Sequence, residues 1–351
     1  MILVTGSAGH LGEALMRLLR ARGIAARGLD LRPSAFTEAT GSITDRGFVA
    51  AAMAGANAVL HAATLHKPHV GTHPAQAFVD TNVSGTLALL EAAATAGVGA
   101  FVLTSTTSAF GAALTPAPGA PAAWITEAVA PVPRNVYGTT KLAAEALAEL
   151  AHRRDGLPVV VLRTARFFPE GDDDPATRAY GPDNAQANEL AFRRADIEDV
   201  AEAHLAAAER AAAIGFGRFI VSATTPFAPE DLAALRADAA ALVARRFPAA
   251  PGLYAARGWR LFPSIDRVYD NAAARAALGW EPRRSFASML ADLAAGRDFR
   301  SPLARAVGAK GYHDAGTDPG PYAPARTAPA GGSTRRRKPA ARSIAASASG
   351  R

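Results

Sequence analysis

Met1-Ile2-Leu3-Val4-Thr5-Gly6-Ser7-Ala8-Gly9-His10-Leu11-Gly12 opens the chain, and its reading decides the fold. The first five residues are an apolar, β-branched run that reads as a buried strand. Three glycines follow at G-x-x-G-x-x-G spacing, and Glu13 to Arg20 then carries Ala14, Leu15, Leu18 and Leu19 on one helical side. Strand, glycine turn and helix in that order form the setting a dinucleotide site needs. Gly6 is expected to allow the tight turn, Gly9 to let backbone approach a pyrophosphate, and Gly12 to let the helix pack closely on the sheet. The helix N-terminus offers free N–H groups and a positive dipole end to phosphate.

A second strand, Ala25 to Leu29, ends at Asp30, 18 residues beyond Gly12. A carboxylate there accepts from the ribose 2′- and 3′-hydroxyls and repels a 2′-phosphate, which favours NAD. Arg32 leaves NADP open, because a guanidinium can hold a 2′-phosphate. Further strand-like runs at 57–61, 99–104, 158–162 and 217–221 alternate with helical ones. The expected fold is therefore α/β, a doubly wound parallel sheet of the Rossmann kind covered on both faces. Its cofactor-binding core with the catalytic residues is expected over 1–165. A small C-terminal α/β substrate lobe follows over 166–300, with strand 217–221 returning to the sheet, and then a tail over 301–351.

Tyr137-Gly138-Thr139-Thr140-Lys141 carries the chemistry. Four residues apart on a helix, the phenol and the ammonium share one face. A cation beside a phenol favours phenolate, so Lys141 is expected to draw Tyr137 down from about 10 toward neutrality and make it a proton-transfer group.

Together these residues resemble the extended short-chain dehydrogenase/reductase family, the NAD-dependent epimerase/dehydratases, over roughly residues 1–295. Thr5 to Gly12 is similar to its cofactor turn. Val59-Leu60-His61-Ala62-Ala63-Thr64 is similar to the strand end lining the cofactor, and Thr81-Asn82-Val83-Ser84-Gly85-Thr86 to the helix carrying an asparagine. Phe101 to Thr106 resembles the strand leading to a catalytic hydroxyl. Thr106 is the hydroxyl carried over, five residues before Gly111; the family's Tyr-Gly step reads Phe110-Gly111 here, and Thr104, Ser105, Thr107 and Ser108 crowd the same segment. Arg194 to His204 resembles the segment introducing a helix beside the substrate, and Asp266 to Asp270 with Ala277 to Pro282 resembles the C-terminal lobe.

The resemblance implies Thr106, Tyr137, Lys141 and Asn82 as catalytic residues. It implies Gly6, Gly9, His10, Leu11, Gly12, Asp30, Arg32, Ser42, Ile43, Ala62, Ala63, Thr64, Asn82, Tyr137 and Lys141 as cofactor contacts, and Thr107, Arg166 and Asn188 as substrate contacts. Tyr137 would exchange the hydroxyl proton, Thr106 would hydrogen-bond the same oxygen, and Lys141 would bind the nicotinamide ribose. Family dehydratases place an acidic pair after the threonine, where Thr107 and Ser108 stand here. Two-centre epimerases use a cysteine, and this chain has none. What remains is an NAD(P)-dependent oxidoreductase acting on a sugar-like alcohol or carbonyl, with a nucleotide-sugar 4-epimerase as the alternative. A non-catalytic nucleotide-sensing regulator would keep the glycine turn and lose the tyrosine. Arg163, Arg166, Arg193 and Arg194 are available for a diphosphate, whereas Glu170-Gly171-Asp172-Asp173-Asp174 would repel one. A homodimer through helices at 84–96 and 139–152 is implied by resemblance.

Composition narrows the rest. The absence of cysteine removes disulfides, thiolate chemistry and cysteine-held metal, and fits a cytoplasmic protein. No apolar run approaches the ~18 residues of a membrane span, and no leader is expected ahead of a strand that starts at residue 2. His61, His66, His69 and His73 lack an acidic partner or helical spacing, so no metal is expected. The net charge of +7 resides in the tail; residues 1–300 hold 29 basic and 29 acidic side chains. That tail is rich in Pro, Gly, Ala and Ser and reads as disordered. Arg335-Arg336-Arg337-Lys338 would attract phosphates, but the reading is a solvated basic tail with no nucleic-acid or membrane partner.

Overall fold

The computed structural model describes residues 1–169 and 175–311. Nine strands run through them: β1 (Ile2–Thr5), β2 (Ala26–Asp30), β3 (Ala39–Thr40), β4 (Ala58–His61), β5 (Ala100–Thr106), β6 (Ala123–Ile125), β7 (Val159–Thr164), β8 (Phe216–Val221) and β9 (Arg267–Tyr269). The first half carries helices α1 (His10–Ala21), α2 (Arg46–Met53), α3 (Ala75–Phe78), α4 (Thr86–Thr95) and α5 (Val136–Asp155). The second carries α6 (Pro175–Arg178), α7 (Pro182–Glu189), α8 (Ile197–Ile214), α9 (Leu232–Arg246), α10 (Ala250–Ala255), α11 (Ala272–Leu278), α12 (Phe286–Ala294) and α13 (Pro302–Val307).

Seven strands form one parallel sheet in the order β3-β2-β1-β4-β5-β7-β8. All six sequence-expected strands lie in it. The strands are apolar on both sides because both sides are covered. Val4, Leu60, Val102, Val160 and Leu162 pack with α1 and α8, while their neighbours Leu3, Val59, Phe101, Leu103 and Val161 pack with α2, α4 and α5. The order reverses between β1 and β4, so the ends of these strands diverge into a crevice where α/β sheets take ligands.

The second lobe has its own core. Leu235, Tyr254, Val268, Phe286 and Met289 are all buried in it, beneath the parallel pair β6–β9. Residues 301–311, grouped with the tail by composition, belong to the folded body. The Ser301 hydroxyl donates to Asp196 at 2.6 Å and caps α13 by accepting from the Ala304 N–H, and Val307 is buried against the core. A six-residue helix that packs only Leu303, Ala304 and Val307 on the core is too faint a pattern to separate from a Pro/Ala-rich tail. Residues 312–351, with the Arg335–Lys338 run, and the acidic run at 170–174 lie outside the described residues. Among the described residues, no helix is long and apolar enough to cross a membrane.

Candidate active site

The site is a cleft of about 570 Å³ at the C-terminal ends of β1, β2, β4 and β5. Its floor is the glycine turn. Gly6 sits at φ +74 and a Cβ there would lie 2.7 Å from the Ala63 nitrogen, so only glycine lets β1 turn this close to β4. A Cβ on Gly12 would lie 1.9 Å from the Gly6 carbonyl oxygen, so α1 can start against the loop only without a side chain there. Asp30 stabilises the same loop: Oδ2 accepts from the Ala8 N–H at 3.0 Å and Oδ1 from the Arg32 N–H at 2.9 Å. Gly6, Gly9, His10, Leu11, Gly12, Asp30, Arg32, Ile43, Ala62, Ala63 and Thr64 all line the cleft.

Ser42 does not line it, although Gly41 and Ile43 on either side do; its hydroxyl instead bonds Thr44 at 2.7 Å. Asn82 sits behind the wall in a π-helical turn, Val79–Gly85, of a kind common at functional sites. Its Oδ1 accepts from the Leu65 N–H and the Thr64 hydroxyl, both at 2.9 Å, and its amide donates to the Leu65 carbonyl and Thr140 hydroxyl. Asn82 thus orients the backbone that lines the cleft. Beside it, His61 bridges the Thr5 and Thr86 hydroxyls at 2.7 and 3.0 Å. Burial, and then the charge of Lys141, hold this imidazole well below its ordinary range.

The crowded hydroxyls of β5 and its end, Thr104 to Ser108, all line the cleft but have different partners. Thr104 bonds His204 at 2.8 Å under α8, and Ser105 donates to Glu145 at 2.5 Å under α5. Thr106, at the strand end, accepts from the Ser108 N–H at 3.0 Å and lines the cleft together with Tyr137. Asn135 caps α5 by accepting from the Gly138 N–H at 3.0 Å, which starts the helix one residue before Tyr137. Lys141 follows one turn on, 1% exposed and, like Asn82, set behind the residues that line the cleft.

The expectation of a phenol near neutrality does not hold for this structure. Burial pushes Tyr137 up to about 12, with only the neighbouring Thr106 hydroxyl pulling it down. Burial also lowers Lys141 to about 8, against the charge of Glu145. Desolvation of both groups outweighs their shared helix face. The phenol is therefore protonated at pH 7, and its chemistry starts from the acid form.

Toward the second lobe the cleft is lined by Thr107, Arg166, Phe167, Phe168, Arg193, Arg267 and Tyr269. Arg166 lies over the Phe168 ring at 5.1 Å. Asn188 is not in the cleft. Its amide donates to the Asn184 and Arg260 carbonyls and its Oδ1 accepts from the Phe262 N–H, so it fastens α7 to the 260–262 segment. Of the arginines offered for a diphosphate, Arg193 lines the cleft but pairs with Glu189 at 2.6 Å, and two others lie outside the lining. Arg163 pairs with Glu145 at 2.8 Å, and Arg194 with Glu189 at 2.8 Å, both buried. Arg267 and Tyr269 were missed from sequence, although their two-residue spacing on β9 directs both to one face. Phe167, Phe168, His66 and His69 carried no signal beyond their nearness to the motifs. Among the described residues, no cluster of His, Asp or Glu could hold a metal.

Comparison with known proteins agrees with this geometry. The model of the NAD dependent epimerase/dehydratase family matches residues 2–189. A dTDP-glucose 4,6-dehydratase of Streptomyces niveus is 34% identical over 188 residues, 48% of this chain and 54% of that protein. A UDP-glucose 4-epimerase of Rhizobium meliloti is 29% identical over 330 residues, 82% of this chain and 94% of that protein. The chain spans about half the length, or less, of several other curated relatives it matches, 39% in one case and 56% in another. In structure, a short-chain dehydrogenase/reductase superfamily protein from Agrobacterium tumefaciens, solved with bound NAD, superposes with a TM-score of 0.60 at 26% identity, covering 84% of this chain and 96% of that one. On its glycine turn, its sheet order and this match over more than half its length, the chain belongs to the NAD dependent epimerase/dehydratase family.

Proposed function

We propose that this protein is an NAD-dependent oxidoreductase acting on a sugar-like alcohol or carbonyl. The observation that carries the reading is that Thr106 and Tyr137 line the same cleft as the glycine cradle and Asp30. The cradle fits a dinucleotide. Gly6 and Gly12 leave space that a Cβ would fill, the start of α1 faces it, and the Asp30 carboxylate stands where a ribose diol would meet it. Bound there, NAD would supply hydride acceptor or donor chemistry at its nicotinamide. Tyr137 would hand its Oη proton to a substrate oxygen, or receive one, with Thr106 holding that oxygen in line. Lys141, an ammonium at neutral pH, would bind the ribose side of the dinucleotide, and Asn82 would keep the 64–65 backbone in register. Thr107 and Arg166 would contact the substrate.

A second reading, a nucleotide-sugar 4-epimerase, is favoured by the similarity that runs along 94% of the Rhizobium meliloti epimerase. A screen of nucleotide sugars and small alcohols, reading NADH appearance and epimer formation separately, tests both. NADH appearance with one substrate supports the first reading, epimer formation without net NADH the second, and neither product sinks both. We further propose a division of labour near residue 165, a cytoplasmic setting in keeping with the cysteine-free sequence, and a homodimer through α4 and α5, where Leu150 is 44% exposed. Sedimentation of the purified chain as a monomer would remove the dimer.

A further inference from the structure

We propose that Glu145 is the positioning residue that keeps Lys141 an ammonium inside the protein, and that Ser105 and Arg163 hold it in place for that task. Lys141 and Glu145 lie four residues apart on α5 and share a face. They are 1% and 2% exposed, so neither charge is hydrated. Burying an ammonium is costly unless an anion stands by. The groups around Lys141 come from several elements. Tyr137 and Glu145 belong to α5 and His61 to β4, while Arg163 of β7 and Arg218 of β8 stand behind Glu145. Tyr137 and His61 are neutral in their buried places. Among the described residues facing Lys141, the anion is Glu145.

Its carboxylate is fixed from two strands at once. Ser105 of β5 donates to it at 2.5 Å, and Arg163 donates through Nε and a terminal nitrogen at 3.1 and 2.8 Å. Ser105 and Arg163 are register partners across β5 and β7. Each directly precedes the threonine at its strand's end, Thr106 or Thr164, and both threonines line the cleft. A carboxylate needed only to neutralise Arg163 has no reason to sit one turn beyond Lys141. It contacts Arg163 at 2.8 Å and Arg218 at 3.4 Å, stands one helical turn from Lys141, and its charge opposes the effect of burial on Lys141.

The inference rests on the role given to Lys141 above, but its test needs neither substrate nor cofactor. The chain has four lysines, Lys67, Lys141, Lys310 and Lys338, so lysine labelled with carbon-13 at Cε gives a resolvable spectrum. The Lys141 signal is the one absent from Lys141→Met. Titrated across the neutral and alkaline range, Lys141 should turn over near 8 in the unaltered chain. In Glu145→Gln the midpoint should drop by about 1–3 units, the effect of losing a nearby opposite charge. Glu145→Asp, which keeps the charge, should stay close to the unaltered chain. A folded Glu145→Gln variant with an unshifted midpoint overturns the proposal. If that single substitution leaves Arg163 unpaired and the chain fails to fold, Glu145→Gln with Arg163→Gln removes both charges. Read against Arg163→Gln alone, the midpoint of the double variant should still fall, and an unshifted or raised one again overturns the proposal. None of these outcomes depends on oxidoreductase activity, so a failed substrate screen and a failed titration remain separate results.

Discussion

Replacing Gly12 with alanine should disable the cleft without touching a charged group. The added Cβ would lie 1.9 Å from the Gly6 carbonyl oxygen and 2.7 Å from the Ser7 Cα, both backbone atoms that cannot rotate away. Reaching van der Waals contact requires the loop and α1 to separate by about 1.5 Å. Overpacking on that scale costs about 1–3 kcal/mol of stability. It also moves the amides that would face a pyrophosphate, and losing a hydrogen bond to a charged group costs about 1.5–3 kcal/mol, about 10–150-fold in affinity. NADH titration followed by fluorescence should therefore show affinity at least about tenfold weaker in Gly12→Ala, with the melting temperature lowered. Gly252→Ala is the control: it sits in α10 with open space around its Cβ position and should melt at or above the parent while binding equally well. Tight NADH binding by Gly12→Ala would refute the reading of the glycine turn as a dinucleotide cradle.

Three further outcomes are expected. Asp30→Ala removes the acceptor for the Ala8 and Arg32 amides and should weaken NAD binding at least about tenfold, since a hydrogen bond to a charged group is worth about 1.5–3 kcal/mol; unchanged affinity in a direct titration would sink the ribose assignment. Asn82→Ala removes four hydrogen bonds to the 64–65 loop and Thr140 and should cost about 2–4 kcal/mol in denaturant unfolding, where a loss below about 0.5 kcal/mol would show the loop holds without it. Lys141 is lowered from 10.5 to about 8, so between those values the unfolded chain holds a proton that the folded chain has released. Stability should then rise with pH across that window, and melting curves of Lys141→Met should lack the rise.

The sheet was legible because its strands are buried on both faces, which leaves short apolar runs such as Phe101–Leu103 between glycine and hydroxyl-bearing residues. The glycine turn was legible because backbone approach admits no other residue at Gly6 or Gly12. The burial of the site was not. Spacing says that Tyr137 and Lys141 share a face, but not that both are withdrawn from water, and desolvation reversed the expected direction for the phenol. Asn188 and Arg163 were misplaced for a related reason: a polar residue near a motif looks the same in sequence whether it faces the cleft or ties two segments together. Arg267 and Tyr269 reach the site only because the parallel pairing of β9 with β6 brings the second lobe over it, a contact of more than 140 residues' separation that no local pattern encodes.

The most direct measurement compares Tyr137→Phe with the parent in two assays, NADH binding and turnover of a substrate found in the screen. Phenylalanine keeps the buried ring and removes the one proton the chemistry needs. NADH affinity should stay within about twofold while turnover falls at least about 100-fold, the scale of positioned acid–base catalysis. Turnover at the parent rate would contradict the assignment of Tyr137 as the proton-transfer group.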